Sequence, residues 1–293
     1  MSSQDVKHAT LGSPADLDDD SASSVGENRP STDPRQPPSR QQRFLDFLKE
    51  EIDTEDTMPQ VTLYCFLTGF ISAICFSATF LWPTFQTGGF VQLSIAVSRL
   101  FAGPQPRDLR FEASDKQALT SLLSFLLGAA ILGRLGDRLG PKRRGWVMFA
   151  TFVQALLLVA AALCAHFSGD PSVATAREYP SWHSPLGFAA LGFASASLGL
   201  HAIVAKRLNT QFGTSVVLTT IWVELVCDPN LFVFGGVKSR DHRAIACSSI
   251  FIGGLCAGAL VRTIGSAGTF GIAAGVRAIS CASWAGVRAK ARS

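Results

Sequence analysis

The sequence has few charged residues, and they are unevenly distributed. Of its 293 residues, 16% are charged and 47% are hydrophobic. Residues 1–60 hold 13 acids and 6 bases, so the rest of the chain contains only 9 of the 22 acids and 20 of the 26 bases. That body has about half the charge of a soluble domain, which excludes a single soluble globular protein. Its bases stand between long apolar runs, and this excludes a nucleic-acid binder.

The sequence also lacks the motifs of soluble enzymes. It contains no P-loop, no GxSxG, no HExxH and no His/Cys cluster with the spacing of metal ligands. We therefore expect no enzyme activity, no cofactor and no bound metal. The cysteines form no CxxC pair and indicate small packing residues, not disulfides or a zinc site. They are Cys65, Cys75, Cys164, Cys227, Cys247, Cys256 and Cys281.

Residues 1–60 are predicted to form a disordered acidic tail. The tail begins with a segment rich in Ser, Asp, Pro and Gln, which buries too little apolar surface to offset the entropy of ordering. It does not resemble a secretory signal peptide, which needs a basic start followed by an apolar run. Over residues 41–56, Phe44, Leu45 and Leu48 fall at helical spacing. This pattern fits either an amphipathic helix on the membrane surface or a partly helical linker.

Residues 61–287 contain six apolar stretches that we predict to cross a membrane. A hydrocarbon core about 30 Å thick requires roughly 20 apolar residues in a helix. The stretches are 61–82, 117–133, 145–167, 185–205, 244–261 and 265–284. Two further stretches, 87–101 and 210–227, are short or carry Arg99 and Glu224. They favour half-helices or re-entrant segments. The predicted fold class is an all-α integral membrane protein with about six transmembrane helices.

The distribution of Lys and Arg predicts the orientation of these helices. The 134–144 loop carries five basic residues and the 168–184 loop carries only Arg177, so the first is predicted to be cytoplasmic and the second external. With six crossings both termini are cytoplasmic. The basic 102–116 loop is then external, which disagrees with the charge rule. Eight crossings would put the tail outside, and we prefer six. The expected partners are membrane lipids and a small solute of unknown identity, not nucleic acid. The pattern predicts neither a particular membrane nor an oligomeric state.

Short strings recur along the membrane region and predict an internal duplication. They are Gly69-Phe70-Ile71-Ser72-Ala73 with Gly192-Phe193-Ala194-Ser195-Ala196, and Phe125-x-x-Gly128 with Phe251-x-x-Gly254. Thr87 lies as many residues after Gly69 as Thr210 lies after Gly192. Repeats of three spans, at about 61–167 and 185–284, would insert inverted, each with a short re-entrant or broken helix. Many secondary transporters have this architecture. The identities are few, so chance similarity remains the alternative.

Several strings resemble the YoaK-like family of polytopic membrane proteins, whose function is not assigned. They are Leu67–Ala73, Gln86–Gly89, Ser124–Gly128, Gly192–Ala196, Asn209–Phe212, Thr219-Thr220 and Ser239–Arg243. The resemblance covers roughly residues 61–280 and is greatest with the fungal branch of the family. It implies a fold but no substrate. The family usually has an acid at the position of Ser72 and an asparagine at Gly89. If those side chains serve the family's activity, the resemblance implies that the activity of this protein is altered or impaired.

The segment Gly133–Arg144 resembles the loop motif of the major facilitator superfamily, between the second and third spans. In that superfamily the acid pairs with a basic residue and with a neighbouring helix N-terminus, and this locks the cytoplasmic side. The resemblance implies that role for a gating loop of Gly133, Asp137, Arg138, Gly140, Lys142 and Arg143. The alternative is a Gly-Pro turn whose bases fix the topology and contact anionic lipid.

The candidate substrate-binding residues stand at the starts of the two short helices. They are Thr87, Gly88, Gly89 and Gln92 in the first, and Asn209, Thr210, Gln211 and Thr214 in the second. Free backbone N–H groups at a helix start can hold an anion, and hydroxyl and amide side chains add contacts. The alternative is that small residues only allow the helices to pack closely.

Glu224 is the only acid inside an apolar stretch, so it is a candidate proton or cation site. His201 and Arg99 are its possible partners. The alternatives are an interfacial charge at Glu224 and a hydrogen-bonded packing residue at His201.

Together these features predict a small-solute transporter or permease-like protein. The alternative is a non-transporting membrane scaffold or regulator that acts through its acidic tail.

Overall fold

The computed structural model describes residues 39–102, 110–176, 179–208, 218–233 and 236–290. Within these ranges the regular elements are helices, and bridges between extended residues occur only singly. The helices are α1 (Arg40–Lys49), α2 (Met58–Thr79), α3 (Gln86–Ser98), α4 (Ala113–Leu139), α5 (Arg144–Ser168), α6 (Pro185–Leu208), α7 (Leu218–Val226) and α8 (Lys238–Ser283). Short 3-10 helices occupy Thr54–Asp56 and Trp284–Gly286.

Five helices in the described ranges are long and apolar enough to cross a membrane: α2, α4, α5, α6 and α8. This agrees with an all-α, multi-pass integral membrane protein. The more detailed expectation of six spans in two repeats is not confirmed, because α8 contains both of the last two predicted stretches in its 46 residues. Helices α3 and α7, with 13 and 9 residues, are too short to span about 30 Å.

Gly265 interrupts α8. Its backbone angles, φ 74° and ψ 173°, are not helical. The Ser266 N–H donates to Ser172 Oγ at 2.8 Å, so this break is held against the loop that follows α5. Before the break, Ala246 packs beside the first turns of α2, and after it the carbonyl of Ser283 accepts from Gln60 Nε2 at 3.1 Å. Both ends of α8 therefore reach the same end of α2, so the chain doubles back at Gly265.

Helices α2 and α6 lie at the centre of the bundle. In each, 61% of the most apolar window is buried, compared with 22% in α4 and 39% in α5. The main hydrophobic cluster includes Phe70, Ile71, Leu158, Leu198 and Phe270, from four helices. The exposed apolar side chains of α4 and α5 form the surface that lipid would cover.

Two glycine contacts bring helix backbones into direct proximity. A Cβ atom on Gly69 would lie 2.0 Å from the Ile250 carbonyl oxygen, between α2 and α8. A Cβ atom on Gly199 would lie 2.0 Å from the Phe125 carbonyl oxygen, between α6 and α4. Only glycine allows such an approach, which is the way membrane helices gain contact area.

We expect Gly199→Ala to lower stability by about 2 kcal/mol, because α4 and α6 must separate to admit the new methyl group. The measurement is the thermal unfolding midpoint of the protein in detergent. Gly258→Ala is the matched control, since a Cβ there meets no atom within 4 Å. Equal midpoints for the two variants would contradict the close contact.

Helix α1 lies on α5, and only part of its apolar surface is exposed. The Phe47 ring lies under the Arg144 guanidinium, with its centroid 4.1 Å from Cζ, while Phe44 is 60% exposed. The chain after α1 is tied to two other segments. The Ile52 N–H donates to the Lys142 carbonyl at 3.0 Å, and the Asp53 N–H donates to the Arg288 carbonyl at 2.9 Å. These bonds place residues 50–53, 142–144 and 287–290 at one end of the bundle.

Candidate functional site

The first half of the predicted substrate site lines a cavity of about 500 Å³ between α2, α3 and α4. Of the four predicted residues on α3, Gly88, Gly89 and Gln92 line the cavity, while Thr87 is exposed outside it. The other lining residues are Phe76, Thr79, Phe80, Leu81, Trp82, Val91, Ile95, Arg99, Ser114 and Asp115. A volume of this size falls within the range of small-molecule sites.

Helix α3 is positioned by hydrogen bonds at both of its ends. At its start, Gln86 Nε2 donates to the Pro83 carbonyl at 2.8 Å and to Ser121 Oγ at 3.0 Å, two turns into α4. At its end, Arg99 pairs with Asp115 in the first turn of α4. Helix α3 therefore runs antiparallel to the beginning of α4 and lies at the end of the bundle where α4 begins.

The connection from α2 to α3 turns back toward the middle of α2. The hydroxyls of Ser72 and Thr84 are buried and lie 2.7 Å apart, although Ser72 stands two turns before the end of α2. Ser72 is the position at which the resemblance implied an acid. A buried serine–threonine contact occupies it here, so no charge stands between α2 and the start of α3 at this point.

The charges at the cavity are balanced by ion pairs. Arg99 pairs with the buried Asp115 and, at 3.4 Å, with Glu112. The carboxylate of Asp115 also accepts the backbone N–H of Glu112 at 3.1 Å. Two carboxylates thus surround one guanidinium, so these three groups give the cavity no excess of positive charge.

The second half of the predicted substrate site lies outside the described residues, since Asn209, Thr210, Gln211 and Thr214 belong to residues 209–217. Glu224 lies on α7 with its carboxylate half exposed, and it accepts from Arg243 Nε at 3.1 Å. Arg243 also pairs with Asp228 at 3.1 Å. The partner of Glu224 is therefore neither His201 nor Arg99, because the α7–α8 connection brings Arg243 to it.

His201 is fully buried on α6 and forms part of a polar cluster. Its Nδ1 lies 2.9 Å from Arg277 Nη2, and its Nε2 lies 3.4 Å from Thr68 Oγ1. A guanidinium only donates, so Nδ1 must accept, and the ring hydrogen is then on Nε2, facing Thr68. The Thr68 hydroxyl in turn donates to the Tyr64 carbonyl at 3.0 Å. His201 therefore connects α2, α6 and α8.

Arg277 is the residue that the site prediction missed. It is 0% exposed on α8, and its Cζ lies 4.6 Å above the centroid of the Tyr64 ring. The Tyr64 hydroxyl lies 2.8 Å from Thr151 Oγ1. In the ranges that the structure describes, no carboxylate pairs with Arg277, and its Nε and Nη1 have no hydrogen-bond partner. The signal was present in the sequence, because Arg277 is the single charge in the stretch 265–284.

The residues of the predicted gating loop divide between α4 and the turn that follows it. Gly133, Asp137 and Arg138 lie in α4, and Gly140, Lys142 and Arg143 lie between α4 and α5. Asp137 pairs with Arg207, in the last turn of α6, at 2.8 Å. The acid thus has a basic partner, as the resemblance implied, but it stands in the last turn of its own helix and not at a helix N-terminus. Gly140, with φ 100°, ends α4.

Comparison with protein families identifies the group to which the chain is related. A family model described as a protein of unknown function, DUF1275, matches residues 60–283, which include the membrane helices described above except the first two residues of α2. The chain belongs to the DUF1275 family. The DUF1275 match supports the expected domain of unassigned function, while the YoaK-like name, the fungal branch and the facilitator motif stay predictions. No curated protein and no solved structure matches the chain.

Proposed function

We propose that this DUF1275 protein is a small-solute transporter with six membrane crossings in two inverted units. The reversal at Gly265 supports the number of crossings, because the residues on each side of it, 238–264 and 266–283, are each long enough for one crossing or nearly so. Both ends of the short helix α3 lie near the beginning of α4, so the chain reaches and leaves α3 on the same side of the bundle. This supports a re-entrant segment in the first unit.

Helix contacts support the duplication. Gly69 meets Ile250, and a Cβ on Gly192 would lie 3.1 Å from Ser124 Oγ. The repeated strings align Gly69 with Gly192, and they align Ser124 with Ile250. Each of the two central helices therefore meets the other unit at an equivalent position, as two inverted copies would.

The cavity beside α3 is the observation that carries the proposal. It lies beside the short helix α3, at the end of the bundle where α2 ends and α4 begins, and short or broken helices contribute to the substrate sites of inverted-repeat transporters. Gln92 offers an amide, and Phe76 and Trp82, whose ring centroids are 4.2 Å apart, offer an aromatic surface. Because Arg99 is already balanced by two carboxylates, the cavity favours an uncharged or zwitterionic solute over an anion.

The opposite end of the bundle supports a cytoplasmic closing contact. Asp137 and Arg207 join α4 to α6, which belong to different units in this proposal. The tied segments 50–53, 142–144 and 287–290 lie at one end of the bundle. The basic residues of the α4–α5 turn support a cytoplasmic location for that end in this proposal. Both termini would then be cytoplasmic, and rocking of the units would break contacts between them.

The test is a metabolite profile of cells that lack the protein compared with cells that overproduce it. Transport predicts that one class of small solute changes in opposite directions in the two strains. If no solute class changes, and the acidic tail instead captures a protein partner, the protein is a scaffold or regulator and the proposal fails.

A further inference from the structure

The polar cluster around Arg277 is separate from the cavity beside α3. Tyr64, which lies under Arg277, stands more than three helical turns before Phe76, which lines the cavity. Along α2 this separation is about 18 Å. Whatever binds at one place therefore makes no contact at the other, and an inference about Arg277 does not rest on the transport proposal.

The charged guanidinium of Arg277 is shielded from both water and lipid. It is fully buried, and the described residues supply no acid to pair with it. Of its five N–H donors, one has an acceptor in His201, the three on Nε and Nη1 make no hydrogen bond of ordinary geometry within the described chain, and the Tyr64 side chain is the other polar group that interacts with the guanidinium. The π-face of Tyr64 offsets only part of the cost of burying a cation.

Two further buried polar groups, one helical turn to either side of the level of Arg277, also lack partners within the described residues. Ser280, one turn after Arg277 on α8, has a buried hydroxyl without a partner in the described ranges. The buried side-chain amide of Gln154 likewise has no hydrogen-bond partner in the described ranges. This residue stands one turn after Thr151, the partner of Tyr64, and its backbone carbonyl accepts from Ser197, one turn before His201.

We propose that Arg277 binds one small monovalent inorganic anion of chloride size in the core of the bundle, between α2, α5, α6 and α8. One positive charge that no acid of the described residues pairs calls for one negative charge, and the three N–H donors on Nε and Nη1 are suited to a spherical anion that accepts from several sides. The Ser280 hydroxyl and the Gln154 amide, one helical turn to either side, are further buried donors without a partner in the described residues. The anion acts as the counter-ion that a carboxylate supplies in other membrane proteins.

The experiment uses the purified full-length protein in detergent, with sodium chloride replaced by sodium gluconate at constant ionic strength. We expect saturable binding of about one radioactive chloride per chain. We also expect the unfolding midpoint to rise by about 3 °C or more between roughly 1 and 100 mM chloride, because a ligand that binds only the folded state stabilises it. Bromide should displace the bound chloride, and gluconate should not.

Arg277→Gln should lose at least tenfold in chloride affinity, whereas the matched control Arg262→Gln, an exposed arginine of the same helix, should bind as the unmodified protein does. If Arg277→Gln does not fold, a bromide-soaked crystal decides, because the anomalous peak must lie beside the Arg277 guanidinium. No saturable chloride binding by the unmodified protein would overturn the proposal. So would unchanged binding by folded Arg277→Gln, or an anomalous peak found only elsewhere.

Discussion

Gly89→Leu is expected to reduce solute transport at least tenfold. Gly89 lines the cavity beside α3, and a Cβ there meets only Gln86 Oε1, at 3.5 Å, which is ordinary contact. The larger side chain can therefore enter the cavity without moving a helix, and it excludes the solute by occupying its space. The measurement is the rate at which cells expressing each variant take up or release the solute class identified by metabolite profiling.

Ser94→Leu is the matched control, because it adds the same side chain to an exposed position of α3 that does not line the cavity. Both variants should reach the membrane in equal amounts, as measured by quantitative blotting. Transport by Gly89→Leu at the rate of Ser94→Leu would show that the cavity is not the substrate site.

Gly265→Val is expected to cost about 3 kcal/mol or more, equivalent to a decrease of roughly 10 °C in unfolding midpoint. With φ 74° and ψ 173°, Gly265 occupies a backbone region that is open almost exclusively to glycine. A Cβ there would also lie 3.1 Å from Ser172 Oγ, which accepts the N–H of Ser266. The strain and the loss of this bond both act at the point where the chain reverses.

Gly271→Val, in the same helix, separates the effect of backbone strain from that of side-chain size. A Cβ at Gly271 meets no atom within 4 Å, so the variant should unfold within about 2 °C of the unmodified protein. Thermal unfolding in detergent, followed by tryptophan fluorescence, measures both variants. If Gly265→Val unfolds at the temperature of Gly271→Val, α8 does not require a reversal at residue 265.

Hydropathy predicted the long helices α5 and α6 closely, because their burial or lipid contact excludes charge along almost the whole element. The stretches 145–167 and 185–205 correspond closely to α5 (Arg144–Ser168) and α6 (Pro185–Leu208). The stretch 117–133 is too short, because α4 continues through Asp115 at one end and Arg138 at the other. At the membrane surface a helix tolerates charged side chains that an apolar window excludes.

The pairing of charges was not predictable from one sequence. Glu224 and Arg243 lie on different helices and meet only because α7 and α8 pack together. His201 and Arg277, far apart in the chain, meet because α8 doubles back and packs against α2 and α5, from where the long side chain of Arg277 reaches His201 on α6. The sequence marked both His201 and Glu224 as unusual polar residues in apolar surroundings, but only the fold decides which groups face them.

The cavity was predicted in part. Gly88, Gly89 and Gln92 line it, since α3 lies against α4 as a short separate helix. Thr87 was grouped with them as a neighbour along the chain, but the helical rotation of about 100° per residue points it away. The aromatic residues of the lining, Phe76 and Trp82, lie in and just after the last turn of α2, and no motif in the sequence indicated them.

Transport by the purified protein alone is the most direct test of the proposed function. The full-length protein would be reconstituted in liposomes, and uptake of the solute class identified in cells would be compared with protein-free and Gly89→Leu liposomes. The account predicts saturable uptake by the unmodified protein, at least tenfold above that of either comparison. Uptake equal to that of protein-free liposomes, with the reconstituted protein folded, would contradict it and leave the protein as a membrane scaffold or regulator.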